Sequence, residues 1–170
     1  IMDKTALLTR EMIRYEAGEP HRIQHFVKVH DFSRMIGLLE GLDAHLQFVL
    51  ETAALVHDIG IRPSMEKYGD ADGKHQEQEG PAVARSMLEA LGYEADVIDR
   101  VCYLVGHHHT YTDICGMDYQ ILVEADFLVN LFEGNSSGEA IAQAQERIFK
   151  TAAGKAFCRD MFQPDVPPAC

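Results

Sequence analysis

The sequence predicts an all-α fold, a single compact helical bundle. Apolar residues recur at helical spacing along most of the chain, which places them on one face of each helix. One example of this spacing is Leu46, Val49, Leu50, Ala53 and Val56. No run of alternating apolar and polar residues is long enough to indicate a sheet. Clusters of Gly and Pro divide the chain into segments of helical length.

These clusters set the predicted helix boundaries, in chain order. They are Gly18-Glu19-Pro20, Gly41-Leu42-Asp43, Gly60-Ile61-Arg62-Pro63, Gly92 and Gly134-Asn135-Ser136-Ser137-Gly138. The helices predicted between them span 3–16, 21–40, 44–58, 79–91, 94–108, 118–133 and 138–154. The longest predicted break is 60–78, because it is rich in Gly, Asp, Lys and Tyr.

Length and composition describe an acidic globular domain. The 170 residues suit one domain, placed at 1–163 and followed by a Pro-rich C-terminal tail at 164–170. The chain is 46% hydrophobic and 25% charged, which excludes disordered and collagen-like classes. Its 15 basic and 27 acidic residues give a net charge of −12, which excludes general binding to nucleic acid or to anionic membranes.

The sequence also predicts a cytoplasmic protein. No stretch approaches the roughly 18 apolar residues that a membrane span needs, and the N-terminal residues lack the apolar run of a signal peptide. Cys102, Cys115, Cys158 and Cys170 form no Cys-x-x-Cys pair, so we expect four reduced thiols. A disulfide between Cys158 and Cys170 is the alternative.

Two polar features interrupt the apolar helices. The helix predicted over 44–58 ends in the pair His57-Asp58, directly before Ile59-Gly60. Asp126 lies within a strongly apolar helix, four residues after Leu122. Burying such groups is costly unless a partner compensates them. A cation would do so, whereas a helix N-terminus or an arginine beside Asp126 is the structural alternative.

Together these features resemble the HD-domain superfamily of metal-dependent phosphohydrolases. The matching stretches are His25-Phe26-Val27-Lys28-Val29, Ala54-Leu55-Val56-His57-Asp58-Ile59-Gly60 and Glu124-Ala125-Asp126-Phe127-Leu128. The chain lacks the Gly-Tyr-Pro signature of the branch that hydrolyses cyclic dinucleotides. The resemblance implies a metal site between helices, with His25, His57, Asp58 and Asp126 as the ligands. Such a set suits Mn²⁺, Fe²⁺, Co²⁺, Ni²⁺, Zn²⁺ or Mg²⁺.

The first ligand has a rival on the same predicted helix. His25 precedes Val29 by four residues and Gly41-Leu42 by sixteen, as the family pattern requires. His30 shares a face with Ile23, Phe26 and Val27, so it remains the alternative. His21, beside Pro20, is expected to be solvated.

Further histidines and basic residues are candidates for a second metal or for substrate phosphate. His107, His108 and His109 resemble a paired-histidine segment of some HD branches, and helical spacing places His108 on the inner face. His75 is a weaker candidate because it falls in the predicted loop. Arg62 and Lys74 in that loop are candidates for contacting phosphate.

The resemblance therefore implies an enzyme that cleaves a phosphoester or phosphoanhydride bond of a small phosphorylated substrate such as a nucleotide. Metal-activated water would attack phosphorus, with Asp58 and His108 as the catalytic residues. Ile61, where family members often have Lys, motivates the alternative of a non-catalytic sensor that binds a nucleotide. The chain is expected to be a monomer or a homodimer.

Overall fold

Helices form the whole framework of residues 2–163, which are the residues that the computed structural model describes. This part of the chain contains nine helices and no strand, so the all-α prediction is confirmed. The helices are α1 (Lys4–Tyr15), α2 (Pro20–Leu39), α3 (Ala44–Val56), α4 (Ile61–Tyr68), α5 (Gly73–Ala90), α6 (Ala95–Val105), α7 (Met117–Glu133), α8 (Gly138–Arg147) and α9 (Ala152–Phe162).

The core lies where α2, α3 and α7 pack against one another. Val29 of α2, Leu50 of α3 and Leu122 of α7 have no exposed surface. Burial of each such side chain contributes about 1.5–3 kcal/mol to folding. The α5–α6 pair covers the other side of α3, through α6.

The segment 60–78 differs from the predicted loop. It contains α4 and the first turn of α5, because its turn-forming residues lie at helix ends. Pro63 occupies the first turn of α4, where no backbone donor is needed. Gly69 ends α4 with a φ of 77°, and the Asp72 carboxylate accepts a hydrogen bond from the Lys74 amide to cap α5.

Two other predicted helices have different ends. The helix predicted at 138–154 is divided into α8 and α9, since the Thr151 hydroxyl caps a new helix by accepting from the Gly154 amide at 2.9 Å. The helix predicted at 94–108 ends at Val105 as α6, and a turn follows that carries the three consecutive histidines.

Close backbone packing fixes the turn that follows α3. A Cβ atom built on Gly60 would lie 2.5 Å from the Gln76 carbonyl oxygen, and one on Gly80 would lie 2.7 Å from Val105 Cγ1. Helices α4, α5 and α6 therefore meet at distances that only glycine permits at these two positions.

Some predictions fall outside what the structure describes. The tail at 164–170 and Cys170 lie outside the described residues, so the domain boundary and the Cys158–Cys170 alternative stay predictions. Among the described residues, Cys102, Cys115 and Cys158 form no disulfide. Within residues 2–163, no helix combines the length and apolar character that crossing a membrane requires.

Candidate metal centre

Four side chains from three parts of the fold meet at one buried point. His25 comes from the middle of α2, His57 and Asp58 from the turn after α3, and Asp126 from α7. The His25 Nε2 atom lies 3.2 Å from Asp58 Oδ2 and 3.1 Å from Asp126 Oδ1. The His57 Nε2 atom lies 3.3 Å and 3.4 Å from the same two oxygens. The structure thus brings together the whole ligand set that the family resemblance implies.

Local backbone geometry fixes two histidine rings of the site. The His57 Nδ1–H donates to the Ala54 carbonyl at 2.7 Å, and the His108 Nδ1–H donates to the Val105 carbonyl at 2.9 Å. This assignment follows because a carbonyl oxygen can only accept. In each neutral ring Nε2 then carries the lone pair that a metal ion would use.

For His25, a side chain and not a backbone carbonyl accepts the Nδ1–H. The His25 Nδ1 atom lies 3.0 Å from Glu133 Oε2, so Nδ1–H donates to this carboxylate. His25 Nε2 therefore faces His57 Nε2 across 3.2 Å, with two carboxylates beside both atoms. Lone pairs and anions repel each other in this arrangement unless a positive charge lies among them.

The pKa shifts of the clustered side chains also show that the site favours positive charge beside its carboxylates. Burial lowers the pKa of His25, but hydrogen bonds to Asp126 and Asp58 outweigh it and raise that pKa to about 9. Burial likewise opposes the charge of Asp58, yet the neighbouring His57 and other imidazoles hold the Asp58 pKa well below its usual range. The pKa of Asp126 is also lowered, through His25 and His57, against its burial.

The donor set fits a divalent metal ion. The potential ligand atoms of His25, His57 and Asp58 all lie within 4.8 Å of one another. Imidazole nitrogen and carboxylate oxygen are ligands of Mn²⁺, Fe²⁺, Co²⁺, Ni²⁺ and Zn²⁺. Each ligand ring also donates its other N–H to an oxygen, as metal-bound histidines usually do. An ion of charge +2 would balance the carboxylates of Asp58 and Asp126 without protonating the rings.

A second group of potential ligands adjoins the first. His108 is buried, as its spacing predicted, and its Nε2 lies 3.3 Å from Asp58 Oδ1. Ligand atoms of Asp58, His108 and His109 lie within 4.8 Å of one another. Burial, together with the nearby His108, lowers the pKa of His109 to about 4, so its ring is neutral near pH 7. Asp58 therefore faces both groups.

Two side chains that the sequence analysis did not identify hold the turn with these histidines. The Tyr119 hydroxyl, on α7, contacts the carbonyl oxygens of His107 at 2.7 Å and of Thr110. The Glu77 carboxylate accepts from the His109 amide at 2.9 Å and from the Thr110 hydroxyl. Helices α5 and α7 thus both restrain the turn.

The other candidate histidines lie elsewhere. His107 donates from Nδ1 to the Tyr103 carbonyl of the preceding helix α6 and stacks on the Tyr103 ring, 4.0 Å between centroids. His75 lies in the first turn of α5, not in a loop, and its Nδ1 is 2.7 Å from Asp70 Oδ1. His30 Nε2 faces Glu51 Oε1 at 3.3 Å, between α2 and α3. The structure brings none of these three imidazoles to the His25–His57 cluster.

The proposed phosphate contacts Arg62 and Lys74 are also placed elsewhere. Arg62 lies on α4 over the Tyr15 ring, 5.3 Å from its centroid, and faces Glu16 at 3.9 Å. Lys74 is exposed in the first turn of α5. The segment predicted as a loop forms helices, and neither side chain lines the cavity beside the metal ligands.

A small cavity opens on the ligand cluster. Its volume is about 170 Å³, and its walls include Arg22, Asn130 and Glu133 together with the ligands His25 and Asp58. Helical spacing in the sequence could have identified these wall residues. Asn130 and Glu133 follow Asp126 by four and seven residues, one helix face, and Arg22 precedes His25 by three.

The Arg22 guanidinium is held at this cavity by a buried acid. Its Nη1 donates to Glu16 Oε2 at 3.2 Å, and Glu16 is 2% exposed. One Glu16 oxygen leaves most of the five guanidinium N–H donors available to other acceptors. The cavity therefore combines a positively charged side chain with the imidazole and carboxylate ligands.

The fold and the site define an all-helical domain with a buried cluster of metal-ligating side chains. A family model of the HD domain matches residues 22–143, more than half of the chain. The chain therefore belongs to the HD domain family, within a superfamily of metal-dependent hydrolases, which confirms the resemblance seen in the sequence.

A solved structure agrees with this assignment. The chain is similar to the crystal structure of a predicted HD superfamily hydrolase from an uncultured Thermotogales bacterium. The two share 25% sequence identity with a TM-score of 0.64, over 94% of this chain and 84% of the other. No curated protein matches the chain.

Proposed function

We propose that this protein is a metal-dependent phosphohydrolase that cleaves a phosphoester or phosphoanhydride bond of a small phosphorylated substrate. The observation that carries the proposal is the convergence of two imidazole Nε2 atoms and two carboxylates at one buried point, within 3.1–3.4 Å of each other. His25, His57, Asp58 and Asp126 would hold a divalent transition metal there, with Mg²⁺ as the alternative.

The bound ion would supply Lewis-acid polarisation of the phosphoryl group and a water of lowered pKa. The protein's own residues would handle the protons. Asp58 presents Oδ2 to the histidine pair and Oδ1 to His108. With one ion bound, Asp58 Oδ1 would accept the proton of the attacking water and pass it to His108 Nε2, 3.3 Å away. His108 would then donate this proton to the leaving oxygen.

The cavity supports a phosphoryl group as the recognised part of the substrate. Its 170 Å³ lie below the roughly 300–1,000 Å³ of sites that enclose whole small molecules. The cavity would therefore hold the phosphoryl end while the remainder of the substrate extends towards solvent. Arg22 would meet a non-bridging oxygen through its planar pair of N–H groups. A nucleotide is the substrate to test first.

A second ion is a further part of this proposal. Asp58, His108 and His109 would bind it, with Asp58 shared between the two ions. In this two-ion form His108 would be a ligand and not the proton donor, and the second ion would add charge stabilisation to the transferring phosphoryl group. His75 and His107 are not included, because each is engaged by a neighbouring group elsewhere.

We also propose a reducing compartment such as the cytoplasm. Cys102, Cys115 and Cys158 form no disulfide among the described residues, and two of them are buried. Free thiols are typical of proteins kept in a reducing environment.

Metal content and turnover test the proposal together. Protein purified without chelator is analysed by plasma mass spectrometry and then assayed against a panel of phosphorylated compounds with the metal found. We expect one or two ions per chain, and loss of both metal and turnover in Asp58→Ala and Asp126→Ala at unchanged helicity by circular dichroism. Asp160→Ala, on the exposed end of α9, is the matched control.

Two results would contradict the proposal. Undiminished turnover in both variants would show that the cluster does not carry the chemistry. Metal-loaded protein that binds a nucleotide tightly and turns over no compound would favour the sensor alternative.

A further inference from the structure

A carboxylate at the end of α7 determines how the first histidine faces the metal site. We infer that Glu133 is a positioning residue that keeps His25 Nε2 available for the metal ion. The inference rests on the proposed metal site and adds a residue outside the ligand set.

Both oxygens of Glu133 have partners. Oε2 lies 3.0 Å from His25 Nδ1, and Oε1 lies 2.8 Å from Lys28 Nζ. Lys28 follows His25 by three residues, so both belong to one side of α2. The contact with Oε2 sets the plane of the imidazole, whereas the ion pair at Oε1 joins α2 to α7.

Position in the helix explains why His25 needs such a partner. His57 and His108 follow the last residues of α3 and α6, where carbonyl groups are free of helical hydrogen bonds. Each uses the carbonyl three residues earlier as the acceptor for Nδ1–H. His25 lies inside α2, whose carbonyls are used by the helix, so an acceptor must come from another helix. Glu133 supplies it.

Charge balance at the site is consistent with a positioning role. Asp58 and Asp126 would together neutralise a divalent ion, and Lys28 neutralises Glu133. Glu133 thus adds no net charge next to the metal site. A carboxylate that accepts from a ligand imidazole fixes its tautomer and raises its basicity towards the metal.

One face of α7 combines these functions. Asp126, Asn130 and Glu133 are spaced by four and three residues, and the Asn130 amide donates to Asp126 Oδ1 at 3.0 Å. The helix therefore supplies one ligand directly, orients that ligand through Asn130, and orients a second ligand through Glu133.

A competing role for Glu133 is a salt bridge that merely joins α2 to α7. Co²⁺ titration by calorimetry separates the two roles in wild type, Glu133→Ala, Glu133→Gln and Lys28→Met. Lys28→Met is the matched control, because it removes the interhelical ion pair and leaves the bond between Glu133 and His25. Urea unfolding in chelator measures the structural contribution of each variant without metal.

We expect Glu133→Ala to weaken Co²⁺ binding by about 10- to 100-fold, the usual effect of removing a partner of a metal ligand. Glu133→Gln retains an acceptor oxygen and should show a smaller loss. Lys28→Met should stay within about threefold of wild type.

Two results would overturn the inference while the metal site stands. These are wild-type affinity in Glu133→Ala, or equal losses in Lys28→Met and Glu133→Ala. Wild-type protein that binds no Co²⁺, Mn²⁺, Ni²⁺ or Zn²⁺ would instead refute the proposed metal site itself.

Discussion

Replacement of Glu124 by Gln should destabilise the fold without removing the metal site. Glu124 is fully buried on α7 and accepts from the Thr151 hydroxyl at 2.6 Å, the Gln120 amide at 2.6 Å, and the backbone amides of Lys150 and Thr151, both at 3.1 Å. The carboxylate thereby attaches the start of α9 to α7. Gln at this position would turn one acceptor oxygen into a donor.

The magnitude follows from these four bonds. A hydrogen bond to a charged group contributes about 1.5–3 kcal/mol, against about 0.5–1.5 kcal/mol for a neutral one. The amide nitrogen would face the Thr151 hydroxyl, whose proton would lose its buried acceptor at a cost of about 1–3 kcal/mol. A loss of roughly 3 kcal/mol in unfolding free energy is the expected result. That loss corresponds to a Tm lowered by about 6–12 °C for a domain of this size.

Urea unfolding followed by circular dichroism measures this loss, with Glu146→Gln on the exposed face of α8 as the control. Co²⁺ affinity measured at 10 °C should stay near wild type, because Glu124 and Asp126 lie on different faces of α7. A loss below about 1 kcal/mol would refute the account of the Glu124 bonds. Loss of Co²⁺ binding by folded Glu124→Gln would refute the separation of the two faces.

Three other predictions address the metal, the histidine turn and the thiols. Co²⁺ at 100 times its Kd should stabilise the wild type by about 2.7 kcal/mol and raise Tm by about 5–11 °C in calorimetry; an equal rise in Asp126→Asn would contradict the ligand assignment. Tyr119→Phe removes a hydrogen bond to the 107–110 turn and should cost about 1 kcal/mol in urea unfolding, and an unchanged midpoint would show that the hydroxyl does not restrain the turn. Burial raises the pKa of Cys158 to about 11, so few thiolates exist at pH 8 and a disulfide reagent should modify the exposed Cys115 first; rapid modification of Cys158 in folded protein would contradict its burial.

The sequence predicted the site's ligand set better than its surroundings. Asp126 in an apolar helix and the His57-Asp58 pair at a helix end are costly when buried, so their positions indicate a compensating partner. The family resemblance identified that partner as a metal ion. The choice of His25 over His30 needed the family spacing, because both residues lie on faces with apolar neighbours. The structure separates them, since His30 faces Glu51 between α2 and α3.

Other features depend on contacts that one sequence does not reveal. The segment 60–78 has the composition of a loop, yet Gly69 and Asp72 act at helix ends, so α4 was missed. The phosphate contact of Arg62 stays a prediction. The role of Glu133 depends on how α7 packs on α2. The sequence shows the helical spacing between Glu133 and Asp126, but it does not show that Glu133 contacts His25, which is 108 residues away.

Gly60 and Gly80, close to the His57-Asp58 turn, are positions that do not tolerate a larger residue. The main chain at Gly60 packs against the main chain at Gln76, and the main chain at Gly80 packs against the Val105 side chain. Both distances are too short for a residue with a Cβ atom. The placement of Asp58 is thus set by the backbone and not by an adjustable side chain. Variants made to accept new substrates should therefore alter the exposed residues of α4 and leave both glycines intact. Alanine at either glycine would displace the turn and with it Asp58.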